Sequence, residues 1–138
     1  MPLQTHALPY RVRDGRIEVL LVTSRRKGKW ILPKGKVEPG ETPSQRAAIE
    51  AFEEAGIRGT VSAKPVLASS LADPSRAQIY PLLVLEELEQ WPEMELRQRA
   101  WFPMSEARSR LRNDWLLRAL AAFSMQLSAD RRATGHDS

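Results

Sequence analysis

The stretch LPKGKVEPGETPSQRAAIEAFEEAGI, residues 32–57, decides the fold. It begins as a strand, passes through a loop rich in Gly, Lys and Pro, and enters a helix predicted over residues 43–55. Thr42 and Gln45 have the spacing of a capping box, which predicts where the helix begins. Gly56 is typical of a left-handed C-cap and predicts where it ends.

Three carboxylates share one face of this helix. Glu50, Glu53 and Glu54 are spaced i, i+3, i+4, which places them together at 3.6 residues per turn. Like charges repel, and carboxylates near a helix C-terminus cost about 0.3–1 kcal/mol each, so we expect a divalent cation to compensate for them. The opposite face is small and apolar and is predicted to pack on a sheet; its members are Ala48, Ala51, Phe52 and Ala55.

Length and composition limit the protein class. A chain of 138 residues with 42% apolar and 28% charged residues is typical of one globular domain, predicted over residues 1–128, with a disordered tail at 129–138. There is no cysteine, which excludes thiolate metal sites and cysteine nucleophiles, and His6 and His136 lie too near the ends to form a histidine cage. No stretch approaches the roughly 20 apolar residues of a membrane span, and the first ten residues lack a signal-peptide pattern, so the expected location is the cytoplasm.

The net charge of +4 is unevenly distributed. Residues 1–36 contain nine Lys and Arg against two acidic residues, whereas residues 37–57 contain five glutamates against Arg46. A basic rim beside an acidic site suits a polyanionic small molecule, although ordinary surface charge explains about half of these residues. Nucleic acid is not indicated, because there is no long basic run or RNA-binding aromatic motif.

The remaining chain alternates strand and turn signals before two helices. Asp14 and Gly15 predict a hairpin turn. The predicted strands cover residues 7–13, 17–24, 30–32, 60–71, 77–88 and 95–102, with a turn at 72–76. The predicted helices cover residues 105–111, capped by Ser105, and a second segment from Asn113 or Asp114 to about Ser128.

At residues 35–57 the chain resembles the Nudix box, G-x5-E-x7-R-E-U-x-E-E-x-G-U, where U is apolar. The fixed positions are met with one exception, Ile49 in place of the usual arginine; they are Gly35, Glu41, Glu50, Glu53, Glu54, Gly56 and Ile57. The flanking residues 19–35 and 79–102 look like the diphosphoinositol-polyphosphate and diadenosine-polyphosphate hydrolase branch of this family.

The resemblance implies an α/β/α Nudix sandwich with a mixed sheet between helices. It also implies Mg²⁺-dependent hydrolysis of a phosphoanhydride in a nucleoside-diphosphate-linked or highly phosphorylated substrate, with Mn²⁺ as a possible substitute. Glu50 and Glu54 match the metal-binding glutamates of the family, and Glu53 matches the general base of this branch. The backbone carbonyl of Lys34 matches a further metal ligand.

Other residues have open roles. Glu41 belongs either to the metal network or to the electrostatics of the helix terminus. Substrate contacts are expected among a set of cations for which surface charge is the alternative: Arg25, Arg26, Lys34, Lys36, Arg97 and Arg99. Ile49 cannot orient Glu53 by a salt bridge, so we expect Arg46 to substitute in part by contacting Glu50 at i, i+4.

Two function classes remain open. The first is an active pyrophosphohydrolase acting on a dinucleoside polyphosphate or diphosphoinositol polyphosphate, or else on damaged nucleoside triphosphates. The second is a non-catalytic Nudix module that binds a nucleotide or a partner. The presence of all three helix carboxylates favours the enzyme. The sequence is compatible with a monomer or a homodimer.

Overall fold

The computed structural model describes residues 3–66 and 77–134 of the chain. The turn expected at 72–76 and part of the strand expected at 60–71 lie outside these residues. In chain order the elements are β1 (Gln4–Arg13), β2 (Arg16–Thr23), β3 (Trp30–Ile31), β4 (Lys34–Lys36), α1 (Pro43–Ala55), β5 (Ile57–Val61), β6 (Ala77–Glu87), β7 (Arg99–Pro103), α2 (Met104–Leu111) and α3 (Asp114–Thr134).

The strands form one mixed sheet around β1. Strand β1 runs parallel to β6, with Ala7 opposite Tyr80, and antiparallel to β2 and β4. Strand β2 also pairs with β3 and β7, and β5 pairs with β6, all antiparallel. Strand β4 was not predicted, because three residues of Lys and Gly carry no alternating apolar pattern.

Helices cover both faces of the sheet. Ala7 and Leu20 are buried on the face covered by α1, and the neighbouring residues Leu8 and Leu21 are buried on the face covered by α2 and α3. This alternation follows from the two-residue period of a strand. The predicted α/β/α sandwich with a mixed sheet between helices is confirmed.

Helix α1 has the predicted bounds. The Thr42 hydroxyl accepts a hydrogen bond from the Gln45 backbone N–H at 3.2 Å, and the Gln45 side-chain oxygen accepts from the Thr42 N–H at 2.9 Å. Gly56 ends the helix in the left-handed conformation, with φ of 66°. The capping box and the glycine C-cap are therefore confirmed.

The buried face of α1 is rotated from the predicted one. Its fully buried members are Ala47, Ala51, Glu54 and Ala55, whereas Ala48 and Phe52 are only partly buried. The prediction was wrong on this point because it kept all three glutamates off the packing face. Glu54 lies seven residues after Ala47, two helical turns along, and therefore points in nearly the same direction.

Other element boundaries also differ from the predictions, most clearly those of β5, β7 and α3. Strand β7 begins at Arg99 rather than residue 95, because residues 93–97 form a turn in which the Arg97 N–H donates to the Glu93 carbonyl at 3.1 Å. Strand β5 starts at Ile57 and ends at Val61, earlier than the strand expected from residue 60. Helix α3 continues to Thr134, past the end expected near Ser128, so the predicted tail overlaps this helix at residues 129–134.

Gly56→Ala is expected to lower the free energy of unfolding by about 2–4 kcal/mol. An added Cβ would be strained at positive φ and would also overlap the side chains of Trp91 and Arg99. Gly40→Ala is the matched control, because Gly40 has φ of 86° but open space around it, and it should cost only about 1 kcal/mol. Urea denaturation measures both; equal losses would contradict the overlap.

Candidate functional site

Gly35 brings strand β4 against the carboxylate of Glu50. A Cβ added at Gly35 would overlap the Glu50 side chain, so a larger residue would displace the Glu50 carboxylate from its position. The backbone of β4, to which the Lys34 carbonyl belongs, therefore lies beside Glu50. This contact explains why the first position of the box is a glycine.

Arg46 joins the box loop to the helix. Its Nε donates to Glu41 Oε1 at 2.8 Å, and its Nη1 donates to Glu50 Oε2 at 3.0 Å. Arg46 Nη2 donates a second bond to Glu41, so the contact between Arg46 and Glu41 is bidentate. These bonds hold the pKa of Glu41 below its usual range. The predicted contact between Arg46 and Glu50 is confirmed. Glu41 thus pairs with an arginine of the helix, and the two roles expected for it both stay predictions.

Glu54 is a buried carboxylate with one unpaired oxygen. It is 4% exposed, and within the described residues its Oε1 accepts no hydrogen bond. The nearest cation is Arg97, whose Nη1 lies 3.8 Å from that oxygen. Burial, reinforced by the neighbouring Glu50, raises the pKa of Glu54 well above its usual range.

Glu53 is less buried than Glu54 but is affected by the same crowding. Partial burial raises the pKa of Glu53, and the charge of Glu50 adds to this effect. The repulsion expected from the i, i+3, i+4 spacing is therefore present in the folded protein. A group poised to accept a proton is a candidate general base.

The donor set fits a hard divalent cation. The unpaired Oε1 of buried Glu54 is the observation that favours one, and the oxygens of Glu50 and the Lys34 carbonyl are donors of the type that Mg²⁺ and Mn²⁺ prefer. Within residues 3–66 and 77–134, no three acidic or imidazole side chains already converge as ligands do. Backbone and water oxygens would have to complete the coordination.

The C-terminal end of α1 is closed by hydrogen bonds from the loop between β6 and β7, from Arg99 at the start of β7 and from the cap residue Gly56. The last carbonyls of a helix have no partner within the helix. Each carbonyl from Phe52 to Gly56 nevertheless accepts a hydrogen bond. The Phe52 carbonyl accepts from the Gly56 N–H at 3.0 Å, the Glu53 carbonyl from the Glu93 N–H at 3.0 Å, and the Glu54 carbonyl from Trp91 Nε1 at 3.0 Å. The Ala55 carbonyl accepts from Arg99 Nη1 at 2.9 Å, and the Gly56 carbonyl from the Leu88 N–H at 2.8 Å. The end that carries the carboxylates is thereby fixed.

Arg99 is part of this closure. Besides Ala55, its guanidinium donates to the carbonyls of Gly56 at 3.2 Å and Leu88 at 2.7 Å, and it stacks 3.9 Å from the ring centroid of Trp91. A cation at a helix C-terminus also favours the macrodipole. Arg99 therefore contacts the helix end, and its expected substrate contact stays a prediction. Sequence spacing does not reveal this, because Arg99 is 44 residues from Ala55.

The other predicted cations are distributed around the site. Arg97 donates to Glu93 at 2.8 Å and to the Thr23 carbonyl at 3.1 Å, and it belongs with Glu54 to the carboxylate cluster. Arg25 lines a pocket of about 390 Å³ next to Arg97, between the loop after β2 and the turn before β7. The side chains at the remaining three positions are exposed: Arg26, Lys34 and Lys36.

Sequence reasoning missed the roles of Trp91 and Glu93. No local sequence signal connected Trp91 or Glu93 with α1, because both lie about 40 residues from the helix they contact. The dipeptide Trp91–Pro92 between two strands was the available signal of a structured loop. It did not indicate which element the loop would contact.

Comparison with known proteins agrees with this geometry. A NUDIX domain model matches residues 3–123. The chain belongs to the Nudix family. It is 39% identical over 127 residues to Nudix hydrolase 21, chloroplastic, of Arabidopsis thaliana, covering 84% of this chain and 63% of the relative. It is 40% identical over 93 residues to diphosphoinositol polyphosphate phosphohydrolase 2 of Rattus norvegicus, covering 65% of this chain and 52% of the relative.

The solved structure of a C. elegans Ap4A hydrolase binary complex shares this fold, with a TM-score of 0.69. It is 23% identical and covers 94% of this chain and 99% of that one. The predicted likeness to the diphosphoinositol-polyphosphate and diadenosine-polyphosphate branch is confirmed. The chain spans less than two thirds of the length of the two relatives named above. None of the helices in the described ranges is long and apolar enough to cross a membrane.

Arg99→Met is expected to lower the free energy of unfolding by about 2–4 kcal/mol. The substitution keeps the bulk of the side chain but removes three charge-assisted bonds to carbonyls and the stacking on Trp91. Arg108→Met on α2, an exposed position, is the control and should change stability by less than about 0.5 kcal/mol. Chemical denaturation compares them; an Arg99 variant as stable as the wild type would contradict the closure of α1.

Proposed function

We propose that this chain hydrolyses a phosphoanhydride bond in a nucleoside-diphosphate-linked or highly phosphorylated small molecule, with Mg²⁺ as cofactor. The observation that carries the proposal is the pairing of a buried, hydrogen-bond-deficient Glu54 with Glu50 beside the glycine of strand β4. A purely structural helix gains nothing from such a pair, since a buried carboxyl group that lacks a hydrogen bond destabilises the fold.

The residues divide the chemical work. The cation would be held by Glu50, Glu54 and the Lys34 carbonyl. Glu41 is bound by Arg46 instead. When bound, the cation neutralises substrate phosphate oxygens and makes water easier to deprotonate. Glu53 accepts the proton of the attacking water, a role to which its raised pKa is suited.

The substrate proposed is a dinucleoside polyphosphate or a diphosphoinositol polyphosphate. The names of the rat relative and of the C. elegans structure support this class. So do the exposed cations Lys34 and Lys36 on β4 and Arg25 at the pocket beside Arg97. A pyrophosphatase for damaged nucleoside triphosphates is the second candidate within the enzyme class. A panel of these three substrate types, with rates of phosphate release, decides between them.

Location and assembly follow as lesser proposals. The chain is proposed to act in the cytoplasm as a monomer or homodimer, on a small molecule and without a membrane or nucleic-acid partner. Fractionation and the mass of the purified protein in solution test the two points.

Glu53→Gln is expected to lower kcat for phosphate release from diadenosine tetraphosphate with Mg²⁺ by about 10²–10⁴-fold, because the amide cannot accept the proton. Glu89→Gln, at an exposed carboxylate in the loop between β6 and β7, is the matched control and should behave as the wild type. Equal rates for wild type and Glu53→Gln would remove Glu53 as the base. Binding without turnover by the wild type across the whole panel would favour the non-catalytic module instead.

Arg46 is proposed to orient Glu50 in place of the missing box arginine. Arg46→Met should lower kcat several-fold with little change in KM, because the bonds to Glu41 and Glu50 are lost. Adding Ile49→Arg to this variant should restore part of the rate, since Ile49 is 36% exposed and can accommodate a longer side chain. If Arg46→Met turns over as the wild type does, Arg46 is ordinary surface charge.

A further inference from the structure

A pocket of about 440 Å³ lies where the edge strand β3 meets the junction of α2 and α3. Its basic lining residues are Lys29, Arg110 and Arg112, and its apolar lining includes Trp30 and Leu111. Pockets of this size commonly hold small molecules. The proposed hydrolysis makes no use of it.

Among residues 3–66 and 77–134, no ion pair neutralises these three cations. Within the described residues, the lining of the pocket contains no acidic side chain. None of the ion pairs formed among those residues includes Lys29, Arg110 or Arg112. Three unpaired positive charges around one concavity produce a local field that attracts an anion.

Arg110 packs on an aromatic ring, and the backbone around Arg112 is held in a defined conformation. The Arg110 guanidinium lies 5.5 Å from the ring centroid of Phe102, and Arg112 ends α2 in the left-handed conformation with φ of 53°. Directly afterwards, Asn113 Oδ1 accepts hydrogen bonds from the backbone N–H groups of the second and third residues of α3, at 3.0 and 3.3 Å. The segment is held between two helices, so little ordering is required when a ligand binds.

The pocket is separate from the carboxylates of α1. Trp30 and Leu111 pack in the core beneath α2 and α3, whereas Ala47 and Ala51 pack in the core beneath α1, on the opposite face of the sheet. A ligand in the pocket therefore contacts these cations and lies away from the glutamates of α1. Binding there requires no divalent cation.

We propose that this pocket binds an oligophosphate anion through Lys29, Arg110 and Arg112. The two guanidinium groups offer paired N–H donors that match phosphate oxygens, and the ammonium adds a point charge. The site is independent of the proposed hydrolysis. It would let the protein hold a polyphosphorylated molecule while the α1 carboxylates are empty or occupied.

Calorimetric titration of the full chain with sodium tripolyphosphate, in the presence of a chelator, tests the site. The chelator removes divalent cations, so phosphate cannot bind through the α1 carboxylates. Wild type should bind, and Arg110→Gln combined with Arg112→Asn should bind at least about tenfold more weakly, because two charge-assisted contacts are lost. Asparagine tolerates the left-handed backbone at this position.

The control is a second double variant with the same net charge as the first. Arg108→Gln combined with Arg118→Gln removes two exposed cations from α2 and α3 that do not line the pocket, and it should retain affinity within about twofold of wild type. Arg112→Lys, which keeps the charge, should lose much less than the double variant. The proposal is overturned if wild type does not bind tripolyphosphate, or if both double variants lose equal affinity. Circular dichroism verifies that each variant is folded.

Discussion

The burial of Glu54 at the C-terminal end of α1 is the constraint on which the rest of the site depends. A carboxylate there opposes the helix macrodipole and loses its hydration, and its Oε1 finds no hydrogen bond within the described residues. The surrounding fold must therefore hold α1 firmly enough to keep Glu54 in place. It does so at both ends of the helix.

At the first turn, the capping box acts together with β1, where the Thr5 hydroxyl donates to the Pro43 carbonyl at 3.0 Å. At the last turn, Trp91 and Glu93 of the loop between β6 and β7 bond to the helix carbonyls, together with Arg99 at the start of β7. The same loop brings Arg97 towards Glu54. One loop thus both fixes the helix and moderates the charge that the helix buries, which links stability of the fold to geometry of the site.

Local sequence signals predicted the helix well and its surroundings poorly. The bounds of α1 follow from Thr42, Gln45 and Gly56, because caps are local interactions, and the contact between Arg46 and Glu50 follows from helical spacing. The cap made by Arg99 and the pairing of β4 with β1 depend on residues far apart in the chain. The rotation of the buried face of α1 was missed as well. A pattern of apolar residues does not indicate that a glutamate, Glu54, packs on the sheet beside the alanines.

The central claim is that the α1 carboxylates exist to hold a divalent cation, and thermal unfolding measured against Mg²⁺ concentration tests it most directly. A cation that binds only the folded state raises Tm as its concentration rises. The account predicts that Mg²⁺ raises the Tm of the wild type, and that this increase is lost in Glu54→Gln. A Tm that does not respond to Mg²⁺, or one that rises equally in both proteins, would contradict it.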